Sequence, residues 1–354
     1  MIRAQGQILA EVCSITTLSA MNGVAGASPD AGSVTVVIPT FNAESFIAET
    51  IESVLSQSFD RWTVVVVDDG SSDDTRSIVE RFTRQDPRIS LIAHVQNKGA
   101  AAARNTGAER SQSDYLLFLD ADDVLEPDML RATGSHLDRH VGANAVYVRQ
   151  AYIDSSGTHL GDEPGAWPWA RCVATRFGVA MIPDSELVVP FESIYLVAAI
   201  IPSLAVVRRG AFDRIGRWDE EFGQICEDTD FFLRLRLDGM IHFLPRVLVR
   251  YRQHPSQATV QKADHFARQY DKVHQKIASI AGPGTSLVRD AEWFRQHRFI
   301  PHRRLEAARD ALKRGDLRGA TRNLKGAIVT YSPRRPPSGL YREPSRRLRL
   351  SGPH

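Results

Sequence analysis

The stretch Tyr115–Asp123, YLLFLDADD, is a short apolar run that ends in three carboxylates. A continuous apolar run of this length predicts a strand buried on both faces of a parallel sheet, and open α/β sheets bind ligands at the C-terminal edge of such strands. Asp120 and Asp122 are separated by a single residue, so their charges repel unless a cation lies between them. Hard oxygen ligands select Mg²⁺ or Mn²⁺, and the stretch therefore predicts a metal site that also holds a diphosphate.

The same carboxylates also fit the start of a helix. Glu126 follows Asp123 by three residues, as in a capping box, and Pro127 suits a first helical turn. In that interpretation the acids serve the N–H groups of the helix terminus and bind no metal. The segments that precede this stretch separate the two possibilities.

Two strand–turn–helix units come before it. The first begins with the apolar run Val34–Ile38 and continues through the turn PTFNAE at residues 39–44. The second begins with Thr63–Val67 and runs into Asp68 and Asp69, so another strand ends in paired carboxylates. Apolar residues at helical spacing follow both turns, which predicts a helix after each strand.

A third strand and a small-residue helix complete the pattern. Ile89–Ala93 is the strand, and residues 97–107, NKGAAAARNTG, predict a glycine turn followed by a helix that carries Arg104. Right-handed crossovers bring the C-terminal ends of the four strands to one side of the sheet. The side chains expected to line one cleft there are Thr40, Asp68, Asp69, Arg104, Asp120 and Asp122. The chain has neither GxGxxG nor GxxxxGK followed by Ser or Thr, which argues against a dinucleotide-binding Rossmann enzyme and a P-loop NTPase.

Four segments in this order, VVIPTFNAE, VVVVDDGSSDDT, NKGAAAARNTG and LDADD, resemble the nucleotide-sugar-binding half of family 2 glycosyltransferases. The resemblance implies an α/β GT-A fold, the fold of nucleotide-diphospho-sugar transferases, with a Rossmann-like, mostly parallel sheet flanked by helices. It also implies transfer of a sugar from a nucleoside diphosphate donor with inversion at the anomeric carbon. The expected cofactor is Mn²⁺ or Mg²⁺, and uridine is the preferred base on family frequency.

The resemblance assigns roles to the side chains of the cleft. Those expected to face the nucleoside follow the first strand and are Pro39, Thr40, Asn42 and Glu44. Asp68 or Asp69 would read the base, and Arg104 would lie near the diphosphate. Asp120 and Asp122 would serve ribose and metal.

An inverting transfer needs a general base that takes the proton of the acceptor hydroxyl. Asp228 is the first candidate and Glu227 the second, because they resemble an acidic pair that starts a helix in the second signature of the family. Helix-terminus electrostatics is the alternative, since acids in a first turn, such as Asp230, are favourable without any catalytic purpose. Trp218 can stack on an acceptor sugar or pack in the core, and Phe222 is expected to pack in the core.

The segment VLVRYRQH at residues 247–254 carries two more candidates. By resemblance, Arg252 and His254 reach back toward the donor phosphates, and His254 is an additional metal ligand. A histidine before a proline can also simply end the strand.

The chain of 354 residues is long enough for one catalytic domain with additions. The predicted divisions are an N-terminal extension (1–33), a GT-A domain (34–255) made of a nucleotide-sugar half (34–125) and an acceptor half (126–255), a helical extension (256–330), and a basic Pro- and Arg-rich, disordered tail (331–354). The apolar run Ile194–Val207 is interrupted by Pro202 and is too short to span a bilayer, so it is expected to be buried core or to line an acceptor groove.

Composition favours a cytoplasmic enzyme. Cys13, Cys172 and Cys226 are an odd number at wide spacing, which argues against a disulfide framework. Residues 301–354 carry ten more Lys and Arg than Asp and Glu, while the whole chain carries two more. A basic tail of this kind either is merely solvated or attracts anionic lipids at the inner face of the plasma membrane, which would suit a lipid-linked acceptor. No nucleic-acid partner is expected, because no aromatic residues interleave with these charges.

Two other functions stay open beside transfer to a saccharide or lipid-linked saccharide in cell-surface polysaccharide synthesis. A non-catalytic module for nucleotide sugars or glycans would keep the fold and lose a base or a metal ligand, yet Asp120, Asp122 and Asp228 are all present. A nucleotidyltransferase would carry a glycine-rich, basic loop after its first strand, and PTFNAE is neither.

Overall fold

The computed structural model describes residues 32–162, 188–189, 191–197, 200–222, 225–257, 263–282 and 286–330. The chain separates into a unit of residues 1–30 and a unit of residues 31–354. The first unit and the predicted basic tail lie outside the described residues. The predicted domain divisions stay predictions.

The first half of the larger unit alternates strands and helices. Its elements are β1 (Val34–Thr40), α1 (Ile47–Leu55), β2 (Trp62–Asp68), α2 (Thr75–Gln85), β3 (Ile89–Ala93), α3 (Ala100–Glu109) and β4 (Tyr115–Phe118). The strands are parallel and lie in the order β3-β2-β1-β4, which confirms the β-α units predicted from the apolar runs. Their carboxyl ends therefore share one edge of the sheet, where Thr40, Asp68 and Asp120 lie at or just beyond the strand ends.

The second half extends the same sheet with mixed pairing. Its elements are β5 (Val124–Leu125), α4 (Met129–Arg139), β6 (Ala143–Ile153), β7 (His159–Asp162), α5 (Phe191–Val197), β8 (Ala205–Arg208), α6 (Arg209–Arg214), α7 (Glu227–Asp238) and β9 (Met240–Arg252). The order continues from β4 through β8, β6 and β9 to β5, with β7 beside β6. β8 is antiparallel to both β4 and β6, whereas β6 and β9 are parallel. The parallel character predicted for the sheet thus belongs mainly to its first half.

The middle of the sheet is covered on both faces. Val37 and Leu117 are fully buried, as expected of strands whose apolar residues do not alternate with polar ones. The small-residue helix α3 approaches β1 closely, because a Cβ on Gly107 would overlap Cγ1 of Val37. The apolar run Ile194–Val207 supplies core residues from α5 and β8, so its interpretation as buried core is confirmed.

Four helices follow the sheet: α8 (Ala263–Ala281), α9 (Ser286–Phe294), α10 (Ile300–Lys313) and α11 (Leu317–Thr330). A π-helical turn, Arg295–Phe299, joins α9 to α10. The predicted hairpin between α10 and α11 is confirmed, and its turn holds Gly315 at φ +76°, where glycine carries no steric cost. Within the described residues, no helix is both long and apolar enough to cross a membrane.

Candidate active site

Asp120, Asp122 and Asp123 lie in a loop beyond β4 and do not begin a helix. The next helix, α4, starts at Met129, so the capping-box interpretation of Asp123 and Glu126 is wrong. Asp123 is fully buried and accepts a hydrogen bond from the backbone N–H of Arg252 at 3.1 Å. Burial and the charges of its two neighbours raise the pKa of Asp123 well above its usual range. The loop thus gathers three carboxyl groups at the edge of the sheet, where no helix terminus stabilises their ionised forms.

Asp122 contacts His254, which was predicted to be an additional metal ligand. Its Oδ2 atom lies 2.8 Å from Nε2 of His254, and the other ring nitrogen of His254 lies 2.7 Å from Oγ of Ser256. The imidazole also packs against the ring of Phe46, with 4.7 Å between the ring centroids. A carboxylate and an imidazole that are 132 residues apart in the chain therefore face each other in a fixed orientation.

Arg104 connects the donor half to the acceptor half. Its Nη2 donates to Oδ1 of Asp120 at 2.9 Å, and its Nη1 donates to Oε1 of Glu227 at 3.1 Å. The guanidinium is 3% exposed and lies over the ring of Trp218, 4.6 Å from its centroid. Burial alone would lower the pKa of Arg104, yet the charges of Asp120 and Glu227 raise it.

Asp120 remains the more exposed partner of that network. Its backbone N–H donates to Oγ of Ser203 at 3.0 Å, which fixes the start of the loop. Burial and the charge of Asp122 raise the pKa of Asp120 above its usual value, although Arg104 opposes the shift. A cation at this edge would relieve the same repulsion.

Asp228 differs from the other acids in the first turn of α7. Glu227 pairs with Arg104, and Asp230 pairs with Arg234 at 2.5 Å and with Lys276 at 2.7 Å. Asp228 is half-buried, and none of the described residues places a basic side chain within ion-pairing distance of it. Burial and the charge of Glu227 raise the pKa of Asp228 to about 7. It is thus a carboxylate that can accept a proton near neutral pH.

Asp68 and Asp69 have different surroundings. Asp69 accepts hydrogen bonds from the backbone N–H groups of Lys98 and Gly99, at 2.9 and 2.7 Å, and lies 2.6 Å from Nδ1 of His94. It therefore holds the glycine turn that starts α3. Asp68 accepts one backbone bond, from Ser71 at 3.0 Å, so of the two it is the carboxylate with oxygen left for a ligand.

The side chains after β1 join two loops together. Oδ1 of Asn42 accepts the backbone N–H of Ser72, and Oε2 of Glu44 accepts that of Asp74, both at 2.9 Å. Pro39 is a residue of β1, and Oγ1 of Thr40 is buried without a hydrogen-bond partner among the described residues. Thr40 therefore lies opposite Asp68, while Asn42 and Glu44 contact the loop that follows β2, and their assignment to a nucleoside site stays a prediction.

Arg252 lies behind the carboxylate loop. It is 1% exposed, its Nη2 pairs with Glu49 at 2.5 Å, and its Nε donates to the carbonyl oxygen of Asp122 at 2.8 Å. Its other Nη donates to the carbonyl oxygen of Asp154 at 3.1 Å. The predicted reach of Arg252 toward phosphate stays a prediction, while its contacts hold Asp122 in place. Sequence reasoning missed Glu49, whose position in α1 gives no sign of a partner two hundred residues away.

The aromatic residues before α7 pack in the core. Trp218 is 2% exposed and stacks on Phe231, with 4.0 Å between ring centroids. Phe222 is 7% exposed, which confirms its expected place in the core. Trp218 therefore supports Arg104 from beneath and presents no face to an acceptor sugar.

The sequence model described as glycosyl transferase family 2 matches residues 35–216, more than half of the chain. The chain belongs to glycosyl transferase family 2. The match runs from β1 to the end of α6 and includes Asp68, Arg104, Asp120 and Asp122, but ends before Asp228.

Two curated glycosyltransferases are similar to part of the chain. The putative teichuronic acid biosynthesis glycosyltransferase TuaG of Bacillus subtilis is 43% identical over 97 residues, which are 27% of this chain and 38% of that protein. The UDP-Glc:alpha-D-GlcNAc-diphosphoundecaprenol beta-1,3-glucosyltransferase WfgD of Escherichia coli is 43% identical over 91 residues, 26% of this chain and 35% of that protein. The chain therefore spans well under half the length of these relatives.

Solved structures of glycosyltransferases share the fold. TarS 1-349 of S. aureus, in complex with UDP-GlcNAc, superposes with a TM-score of 0.59 at 18% identity, over 85% of this chain and 93% of that one. The mannosyltransferase PcManGT of Pyrobaculum calidifontis, in complex with GDP-Man and Mn²⁺, superposes with a TM-score of 0.58 at 19% identity, over 87% and 79%. The predicted GT-A architecture is thereby confirmed.

Proposed function

We propose that the chain is a metal-dependent inverting glycosyltransferase that moves a sugar from a nucleoside diphosphate sugar to a hydroxyl of a saccharide or lipid-linked saccharide. The observation that carries the proposal is the pair of ion pairs that Arg104 makes with Asp120 and Glu227. They join the loop after β4 to α7, the helix that bears Asp228. A transferase needs a donor site and a proton acceptor at one sheet edge, and this ion-pair chain holds the two elements together.

The nucleoside would lie on the two loops that follow β1 and β2. Asp68 has the oxygen to accept bonds from a base N–H or a ribose hydroxyl, and Thr40 has a buried hydroxyl without a partner among the described residues. Asn42 and Glu44 contribute by holding the loops at a fixed separation. A UDP-sugar is the preferred donor, in keeping with the UDP-glucose named for WfgD.

The candidate metal ligands, two carboxylates and one imidazole, suit a hard to borderline divalent ion such as Mn²⁺ or Mg²⁺. Asp122 Oδ2 and His254 Nε2 face each other at 2.8 Å, where an ion could replace the shared proton. The Asp120 carboxylate is turned toward Arg104, so the three candidate metal ligands do not converge on one point in this structure. Asp122 and His254 would hold the ion, and its positive charge would neutralise the charge of the leaving group.

Asp228 is the general base of the proposed reaction. The acceptor hydroxyl oxygen attacks the anomeric carbon from the face opposite the diphosphate, and its proton passes to the Asp228 carboxylate. The bond from the anomeric carbon to the diphosphate oxygen breaks, and the nucleoside diphosphate leaves with that electron pair. Glu227 is less suited to this role because Arg104 neutralises it.

The names of two relatives and the basic C-terminal residues bear on the acceptor and on where it would be bound. WfgD is named for an acceptor on diphosphoundecaprenol, and TuaG for teichuronic acid biosynthesis, which supports a part in cell-surface polysaccharide synthesis. A lipid-linked acceptor would be met at the cytoplasmic face of the membrane, where the basic residues 331–354 would contact anionic lipids.

The test measures donor binding and diphosphate release separately. UDP-, GDP- and dTDP-sugars are titrated with and without Mn²⁺ into the wild type, Asp122→Ala and Asp228→Asn, with the exposed Asp162→Asn as matched control. We expect one donor to bind only with metal, Asp122→Ala to lose that binding, and Asp228→Asn to bind normally without releasing diphosphate. Binding without release in the wild type, with an acceptor mixture of lipid-linked saccharides present, would favour the non-catalytic module, and no binding would overturn the proposal.

A further inference from the structure

Three imidazoles meet at the sheet edge opposite the carboxylate loop. His136 lies in the last turn of α4, His140 caps its C-terminal end, and His242 is the third residue of β9. Nε2 of His136 lies 3.0 Å from Nδ1 of His242, and the His136 and His140 rings stack with 4.2 Å between centroids. One nitrogen of each ring lies within 4.8 Å of the other two. Ten residues of β9 separate His242 from Arg252, or about 30 Å of strand, so this cluster is separate from the donor cleft.

We propose that His136, His140 and His242 bind one divalent transition-metal ion of the zinc class. Two nitrogen ligands of a tetrahedral Zn²⁺ are about 3.3 Å apart, given Zn–N distances of about 2.0–2.1 Å. The His136 and His242 nitrogens are already near that separation, at 3.0 Å. The pair of His136 and His242 is therefore already spaced as two ligands, and His140 would bind the same ion after its ring turns out of the stack on His136.

The hydrogen bond of His140 leaves one of its ring nitrogens free to bind a metal. Its Nδ1 lies 2.8 Å from the carbonyl oxygen of His136. A carbonyl oxygen only accepts, so Nδ1 carries the proton and Nε2 keeps its lone pair free for a metal. A backbone carbonyl that fixes the tautomer in this way is the usual outer partner of metal-bound histidines.

The charged and polar groups around the cluster act on a cation in both directions. The charges of Arg139 and Arg208 oppose a cation, whereas the carbonyl end of α4 favours one.

The chemistry of the donors sets the preference among metals. No Asp or Glu of the described residues joins the cluster, and three imidazole nitrogens suit Zn²⁺, Co²⁺, Ni²⁺ or Cu²⁺ over Mg²⁺ or Mn²⁺. His136 and His242 are 5% and 3% exposed, while His140 is half-buried, so the open side for water and for metal entry is the side of His140. A bound ion would join the end of α4 to the start of β9.

The test uses the full chain without a histidine tag and in the Asp122→Ala background, so that the donor-site metal does not interfere. Co²⁺ is titrated and followed by its visible absorption, and Zn²⁺ is then used to displace it. We expect one Co²⁺ per chain in a four-coordinate or five-coordinate spectrum. Added His140→Gln should weaken binding at least about 100-fold, and added His159→Gln, at an exposed histidine, should leave it unchanged.

Two measurements keep the proposal falsifiable if a substitution disturbs the fold. Melting in EDTA compares the apo forms, and saturating Zn²⁺ should raise the Tm of the Asp122→Ala chain by about 5 °C and that of the His140→Gln form not at all. In the chain with all its histidines, Zn²⁺ should shift the imidazole nitrogen NMR signals of His136, His140 and His242. Absence of Co²⁺ binding, binding that survives His140→Gln, or unshifted signals would each overturn the proposal.

Discussion

Arg104 and Glu227 are 123 residues apart in the chain and share a 3.1 Å ion pair that is almost entirely excluded from solvent. Asp120 closes the same network on the other side of the guanidinium. The network ties the stability of the domain to the arrangement of the catalytic edge, because neither carboxylate has another cation partner among the described residues.

Arg104→Met should destabilise the protein by about 3–5 kcal/mol, since it leaves Glu227 and Asp120 as uncompensated charges in a site of low exposure. Urea denaturation measures this change in the free energy of unfolding. Arg76→Met is the matched control. It breaks an exposed pair with Glu80 and should change stability by less than about 0.5 kcal/mol. Equal effects of the two substitutions would contradict the interpretation of the network.

Asp228→Asn should lower the rate of sugar transfer by about 10²–10⁴-fold without changing donor affinity, because it removes only the proton acceptor. Steady-state kinetics with the donor identified by the binding test measures both quantities. Glu227→Gln is the contrasting variant, and its main effect should be on stability through Arg104. A larger rate loss in Glu227→Gln than in Asp228→Asn would assign the base to Glu227.

The transfer rate should rise with pH through about 7. Burial and Glu227 raise the pKa of Asp228 to about 7, so below that pH the carboxyl is protonated and cannot accept the acceptor's proton. Above it the carboxylate is available, and the rate reaches a plateau. The pH dependence of kcat/KM checks this, and the residual activity of Asp228→Asn should lose the inflection near pH 7.

His254→Ala should raise the Mn²⁺ concentration needed for half-maximal donor binding by about 10–100-fold, because it removes an imidazole that faces Asp122. Isothermal titration with the donor at fixed concentration measures the shift. His159→Ala, at a solvent-exposed histidine, should leave the requirement unchanged. An unaltered Mn²⁺ requirement in His254→Ala would mean that His254 binds no metal and only packs against Phe46.

Gly107→Ala and Gly134→Ala should change the stability of the protein in opposite directions. A Cβ on Gly107 would overlap Val37, which costs about 1–3 kcal/mol, whereas a Cβ on Gly134 in α4 meets nothing within 4 Å. The second substitution should therefore stabilise the protein by about 0.5–1 kcal/mol through the helix propensity of alanine. Thermal denaturation of both variants measures the difference, and a loss of stability in Gly134→Ala would show that α4 is constrained in some other way.

Sequence patterns predicted where the strands lie because apolar runs such as Val34–Ile38 report burial directly, although β1 continues two residues further, to Thr40. They predicted the first-half topology and named both Asp122 and His254 as candidate metal ligands, and the structure brings these two side chains into contact. They did not reveal contacts between residues that lie far apart in the chain. Arg252 holds Asp122 through its carbonyl oxygen, and Asp69 holds the turn at Gly99, although isolated charged residues look the same whether they bind ligand or backbone.

The second half shows the same limit for topology. The run that becomes β8 has the apolar composition of a buried strand in either direction, so its antiparallel pairing with β4 depends on the path of the preceding chain. Likewise, Asp123 looked like a helix cap because Glu126 and Pro127 fit the pattern. The buried bond to Arg252, which fixes the loop instead, has no local signature.

The position of β8 bears on how substrates would be captured. Its backbone forms hydrogen-bonded ladders with β4 on one side and with β6 on the other, so a single pleated surface runs through both halves of the domain. A hinge motion that separated the two halves would break one of these ladders and lose several hydrogen bonds. Any movement that closes over a bound donor would therefore involve segments beyond the strand ends and leave the paired strands in place.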